Sequence, residues 1–203
     1  MKLHFCWRTA MVAMLALHTV HAGAADAQPA QPAQPAQAAR TFTLYTPDAK
    51  LVSGMPAIYI ANAFGCTGGN TSPALAWRNA PAGTRSFVLT LFDRDERSTP
   101  SGWWHWVVYD LPADTDHLAQ GAGVAHSAAL PRAALQGRTD LGTAAYHGPC
   151  PAKGDPPHRY EFTLYALSIA RLPVAAEASG AMVTSTAQES LLGKATFTAH
   201  YGR

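Results

Sequence analysis

The chain has 203 residues, 48% hydrophobic and 14% charged, and Lys+Arg 15 against Asp+Glu 13 leave a net charge of +2. This balance excludes a fully disordered chain, a coiled coil and a basic nucleic-acid binder, and the length suffices for a core that needs no metal or disulfide to close. The 16 Gly and 15 Pro, spread along the chain, cut helical periodicity short and favour turn-rich β structure.

Residues 1–24 read as a secretory signal peptide. Lys2 and Arg8 form a positive flank, an apolar stretch too short for a membrane span follows, and small residues supply a cleavage site at about Ala22-Gly23-Ala24. Residues 25–40 repeat Gln-Pro-Ala and form an extended linker, because prolines without bulky apolar neighbours bury too little surface to offset ordering entropy. The folded domain is expected over 41–203. Cys6 leaves with the leader, and Cys66 and Cys150 remain. An even pair in an oxidising compartment, each in a Gly/Pro-rich loop, points to one disulfide, with two buried thiols as the alternative. The mature protein is expected to be periplasmic or secreted, without stable membrane insertion.

Within the domain, strands are expected over 41–45, 86–92, 103–110 and 159–167, and a last strand over 195–201. The unbroken apolar run Phe87-Val88-Leu89 must be covered on both faces, which implies stacked layers. Helical pattern is confined to about 174–183 and 186–192. The expected architecture is mainly β, a sandwich of two antiparallel sheets with short C-terminal helices. Alternation places His158, Tyr160, Phe162 and Leu164 on one face of their strand, and His105 with Trp103, Val107 and Tyr109 on another.

Four groups concentrate chemistry: Asp93-Arg94-Asp95-Glu96-Arg97, Gly102-Trp103-Trp104-His105-Trp106, Tyr146-His147-Gly148-Pro149-Cys150-Pro151 and His158-Arg159-Tyr160. Each has an ordinary structural explanation as turn, core strand or rigid loop. No phosphate loop, His-Glu-x-x-His, Cys-x-x-Cys or Gly-x-Ser-x-Gly elbow is present, so no enzyme class, cofactor or metal is assigned. Asp93, His105, His147 and His158 are chemically suited to zinc, but their spacing does not establish a site.

In chain order, Phe64-Gly65-Cys66, Asn70-Thr71-Ser72-Pro73, the acidic run after Phe92, the Trp-rich strand, the Gly-Pro-Cys-Pro loop and His158-Arg159-Tyr160 resemble the phosphatidylethanolamine-binding protein family, most closely its bacterial Raf-kinase-inhibitor-like branch. The resemblance covers about 41–203. It implies a two-sheet fold with a small anion pocket at one end, formed by Asp93, His105, Gly148, Pro149, His158 and Tyr160. It also implies a Cys66 to Cys150 pairing like that of exported members. The ligand expected is a small anion or phosphorylated head group, bound by a His, the Tyr hydroxyl and a loop N–H, with Asp93 accepting from an ammonium. A protein partner would be engaged through the same end. Kinase regulation does not transfer to an exported chain. Two other readings are carried beside it: an inhibitor of a protease or host signalling protein, and a weak metal-dependent hydrolase using Asp93, His105 and His158. The chain departs from the family pattern at Arg94, where a proline is usual in the acidic turn, and at Ser190, where a histidine is common; His147 is an added imidazole at the pocket rim.

Overall fold

The computed structural model describes residues 40–203, so the leader expected over 1–24 and nearly all of the linker expected over 25–40 lie outside the described residues. Strands β1 (Thr43–Tyr45), β2 (Leu75–Arg78) and β5 (His117–Leu118) form a small antiparallel sheet in the order β1-β2-β5. Strands β3 (Ser86–Asp93), β4 (Trp103–Pro112), β6 (Leu135–Gln136), β7 (His158–Leu167) and β8 (Leu191–Tyr201) form a five-stranded antiparallel sheet, ordered β6-β4-β3-β7-β8. Helix α1 (Ala49–Ser53) is capped by Asp48, whose carboxylate accepts the Lys50 N–H; helix α2 (Gly180–Gln188) is capped by Ser179.

The unbroken apolar character of β3 follows from its central position. Phe87, Leu89 and Leu91 enter the core between the two sheets with Leu44, Leu75 and Trp77, while Val88 joins a second cluster with Val107, Tyr109 and Val183 beneath α2. Three layers result, with the large sheet in the middle. Trp77 meets Phe87 edge-on at 5.5 Å between centroids, tying small sheet to large.

The C-terminal part differs in detail from the sequence reading. One helix, α2, replaces the two expected segments, because the chain around 174–179 turns through Glu177 at φ 57 and Ser179 starts the helix only at Gly180. Strand β8 begins at Leu191, ahead of the expected 195, because its ladder with β7 runs from Tyr201 opposite His158 to Leu191 opposite Leu167. Gly180 is required at the start of α2: a Cβ there would lie 2.5 Å from the Trp104 ring.

Candidate functional site

The site grows from the end of β3. Alternation carries the row Phe87, Leu89, Leu91 on to Asp93, which therefore ends an apolar face and is 1% exposed. Its Oδ1 accepts the backbone N–H groups of Asp95 (2.8 Å) and Glu96 (3.1 Å), fixing the acidic turn without the usual proline. Its Oδ2 accepts from His158 Nδ1 at 2.8 Å. Asp93 and Tyr160 are register partners across β3 and β7, which makes the three side chains neighbours.

His105 reaches the same place through a β-bulge. Leu91 pairs with Trp106 and Phe92 with Trp104, so His105 is the extra residue of β4 and the alternation inverts there. Sequence parity put His105 on the face of Val107 and Tyr109; the structure corrects this, since those two lie under α2 while His105 turns to the opposite face, beside Asp93 and Tyr160. His105 Nδ1 donates to the His147 carbonyl at 2.8 Å, and the His147 N–H returns a bond to the His105 carbonyl at 2.9 Å. A carbonyl only accepts, so Nδ1 carries the proton and Nε2 presents its lone pair, 4.0 Å from Asp93 Oδ2. Burial holds the His105 imidazole well below its ordinary value and outweighs the His147 carbonyl and the Asp93 charge, which act the other way.

A cavity of about 290 Å³ opens over these groups. Asp93, Glu96, Ser98, His105, His147 and Tyr160 supply its polar surface, and Phe64, Trp103, Leu141, Cys150 and Pro151 its apolar walls. Among the described residues, no Lys or Arg lines it. For Glu96 burial opposes ionisation most strongly, yet the Ser98 N–H donated to Oε1 at 2.7 Å, the Ser98 hydroxyl, the Arg97 N–H and the nearby His158 together outweigh it and keep the carboxyl below its usual range. Tyr160 is fully buried, and among the described residues no group meets its hydroxyl in well-formed hydrogen-bond geometry; burial first, then the charge of the neighbouring Asp93 carboxylate and a weak hydrogen bond toward it, raise its pKa far above the ordinary phenol value.

Asp93, His105 and Tyr160 thus line one cavity as a set. His158 stands behind Asp93, outside the cavity wall, with Nδ1 on Asp93 and Nε2 3.5 Å from Asp155 Oδ2; it orients the carboxylate. Gly148 and Pro149 also lie behind the wall. The Gly148 N–H, expected to face a ligand, is donated to Asn70 Oδ1 at 2.8 Å, and the Pro149 carbonyl accepts from the Ala61 N–H at 3.1 Å. Gly148 packs so closely that a Cβ would lie 2.5 Å from the Ala61 nitrogen. His147, expected at the rim, both lines the cavity and locks His105.

Sequence reasoning missed Phe64 and Leu141 as cavity residues and named Glu96, Ser98 and Trp103 only as members of motifs near the pocket, with no ligand role. Phe64 carried one signal, an aromatic before Gly65 in a loop: it sits at φ 54 and is 67% exposed, an apolar side chain held at the mouth. Its segment is joined to the opposite wall by the Cys66–Cys150 disulfide, with Cα atoms 6.0 Å apart. Arg203 spans the same two segments, donating from Nε to the Pro151 carbonyl (2.5 Å) and from Nη2 to the Phe64 carbonyl (3.3 Å). Among the described residues, Asp93, Glu96 and His158 offer ligand atoms within 4.8 Å of one another, and no helix is long and apolar enough to cross a membrane.

A two-sheet sandwich whose central strand β3 ends in a buried carboxylate, flanked by imidazoles and a tyrosine, has the architecture of a class of binding proteins. The profile described as phosphatidylethanolamine-binding protein matches residues 53–202, and the chain belongs to that family. It is 48% identical to the UPF0098 protein YbhB of Escherichia coli (strain K12) over 158 residues, 78% of this chain and 98% of that one. It is 43% identical to the UPF0098 protein YbcL of the same organism over 142 residues, 70% of this chain and 77% of that one. The crystal structure of E. coli YbcL superposes with a TM-score of 0.76 at 40% identity, covering 80% of this chain and 98% of that chain.

Proposed function

We propose that the chain is a non-catalytic, exported binding protein whose cavity takes a small phosphoryl-bearing ligand, such as a phospholipid head group. The observation that carries the reading is the Tyr160 hydroxyl. A buried hydroxyl with no partner costs about 1–3 kcal/mol, a cost that a ligand oxygen accepting from it removes. Ser98 adds a second hydroxyl to the cavity surface, and Trp103, Pro151 and Phe64 supply apolar walls for the organic part of the ligand. Asp93 is supported from behind by His158 and from the turn by two N–H groups, so it holds its position as a ligand enters. Export is supported by the disulfide together with the leader-like sequence at 1–24. His158 places Nδ1 2.8 Å from Asp93 Oδ2 and Nε2 3.5 Å from Asp155 Oδ2, which engages the ring in holding the carboxylate and not in lining the cavity. A protein partner would be met at the same end, where Phe64 and Leu141 are exposed.

The test is calorimetric titration with inorganic phosphate and O-phosphorylethanolamine. Tyr160→Phe keeps the ring and removes only the hydroxyl; it is expected to weaken binding about tenfold or more with no loss of folding. Absence of binding at millimolar ligand, or equal affinity in the variant, would refute the reading.

A further inference from the structure

We infer that the groove beside strand β6 is a docking site for an extended peptide segment of a partner protein, which adds a strand to the free edge of the large sheet. The groove measures about 730 Å³ and shares no lining residue with the cavity at the end of β3. Strand β6 is an edge of the five-stranded sheet, paired with β4. The Gly137 N–H is donated to the Val107 carbonyl at 2.9 Å, so odd positions turn their backbone groups toward β4 and even positions turn theirs away. Arg138 bears out the parity: its N–H is donated to the Ala178 carbonyl at 3.0 Å and its carbonyl accepts from the Gly180 N–H at 3.3 Å, a parallel bridge with Ser179. Two residues earlier that pairing stops. The neighbouring chain leaves the ladder in a turn, with the Ala178 N–H donated to the Ala175 carbonyl and Glu177 at φ 57. Among the described residues the backbone N–H and C=O of Gln136 have no partner, and Gln136, Ala176 and Glu177 line the groove together.

An unpaired donor and acceptor on one residue of an edge strand are met together by extended backbone, which offers both at the same spacing. The surrounding side chains set its character. Leu130, Ala134, Leu135 and Ala144 give apolar walls; Leu135 is 42% exposed, on a strand that carries no lysine or proline to block pairing. Arg132 and Glu177 line the same groove, and neither forms an ion pair among the described residues. A segment with an acidic and a basic side chain beside apolar ones therefore complements the groove in charge as well as in hydrogen bonding.

The probe is the peptide acetyl-Asp-Val-Thr-Val-Lys-amide, followed by amide NMR and hydrogen exchange on the full chain. In the free protein the Gln136 amide is expected to exchange at least about tenfold faster than those of Gly137 and Arg138, and to slow at least about tenfold with saturating peptide. Shifts should concentrate at 134–136 and 176–177. A strand has two edges, so two copies of the peptide, each N-methylated along one edge, separate backbone pairing from apolar contact. One copy is expected to bind like the parent and the other at least about threefold more weakly. Arg132→Glu, on an exposed side chain, is expected to weaken the parent peptide about threefold while its thermal unfolding and its O-phosphorylethanolamine binding stay as in wild type. A slowly exchanging Gln136 amide in the free protein, equal affinity of the two methylated copies, or no shift at millimolar peptide would overturn the inference. Concentration-dependent dimers that protect Gln136 would overturn it as well, since they make a second copy of this chain the occupant.

Discussion

Removing the Cys66–Cys150 disulfide with the double substitution Cys66→Ser and Cys150→Ser tests how the cavity wall is held. The bridge closes a loop with a sequence separation of 84. In the chain-entropy account a loop of that size restricts the unfolded ensemble by about 4.5 kcal/mol at room temperature, with residual structure in the unfolded chain lowering the figure. For a domain of this size a loss of about 3–4.5 kcal/mol corresponds to a drop in Tm of roughly 6–18 °C. The native wall should survive, because Arg203 still donates to the Phe64 and Pro151 carbonyls and Gly148 is still held by Asn70. Urea unfolding of the oxidised wild type and the double variant, followed by near-UV dichroism, measures the difference; a larger m-value is expected for the variant because its unfolded chain expands. A loss under about 1 kcal/mol, or two alkylatable thiols in the oxidised wild type, would refute the reasoning.

Burial keeps the His105 imidazole below its ordinary value, and His147 shifts the same way for the same cause. The unfolded chain therefore takes up protons first, so this contribution to stability is complete above the ordinary imidazole value of about 6.5 and is lost as pH falls below it, by at most about 1.4 kcal/mol per pH unit per group. His105→Gln should flatten that slope in urea titrations at several pH values; an unchanged slope would assign the proton elsewhere. Asp93→Asn should cost about 1–3 kcal/mol, because His158 loses a charged acceptor, and should abolish O-phosphorylethanolamine binding in calorimetry. Gly148→Ala should cost about 1–3 kcal/mol and weaken ligand binding by displacing the wall, since its Cβ would press on the backbone at Ala61; wild-type stability in that variant would count against the close packing.

Asp93 was legible as a site residue because it follows a buried strand within an acidic run, and His158 with Tyr160 because the strand alternation is regular through Leu167. Two roles required the fold. His158 was grouped with the ligand set, yet its ring faces Asp93 and Asp155 from behind, since shared strand parity does not say which neighbour stands in front. Gly148 was read as an N–H donor to ligand; its tight approach to the 59–61 segment makes it a packing residue. Glu96 was legible only as part of the acidic run near the pocket; its place in the cavity lining needed the fold, for an acid in a turn is ordinarily solvated.

The sequence by itself determined five of the strands, the stacked sheets and the family, because period-two alternation, unbroken apolar runs and motif order are properties of the chain read in line; the short strands β2, β5 and β6 and the choice of a Cys66–Cys150 bridge over two thiols came with the fold. The tertiary structure alone decided which groups face the cavity. One extra residue in β4 turns His105 away from Val107 and toward Asp93, and the full ladder with β7 starts β8 at Leu191. A bulge inverts every facing argument beyond it and is set by how two strands pair, an energy that belongs to neither strand alone.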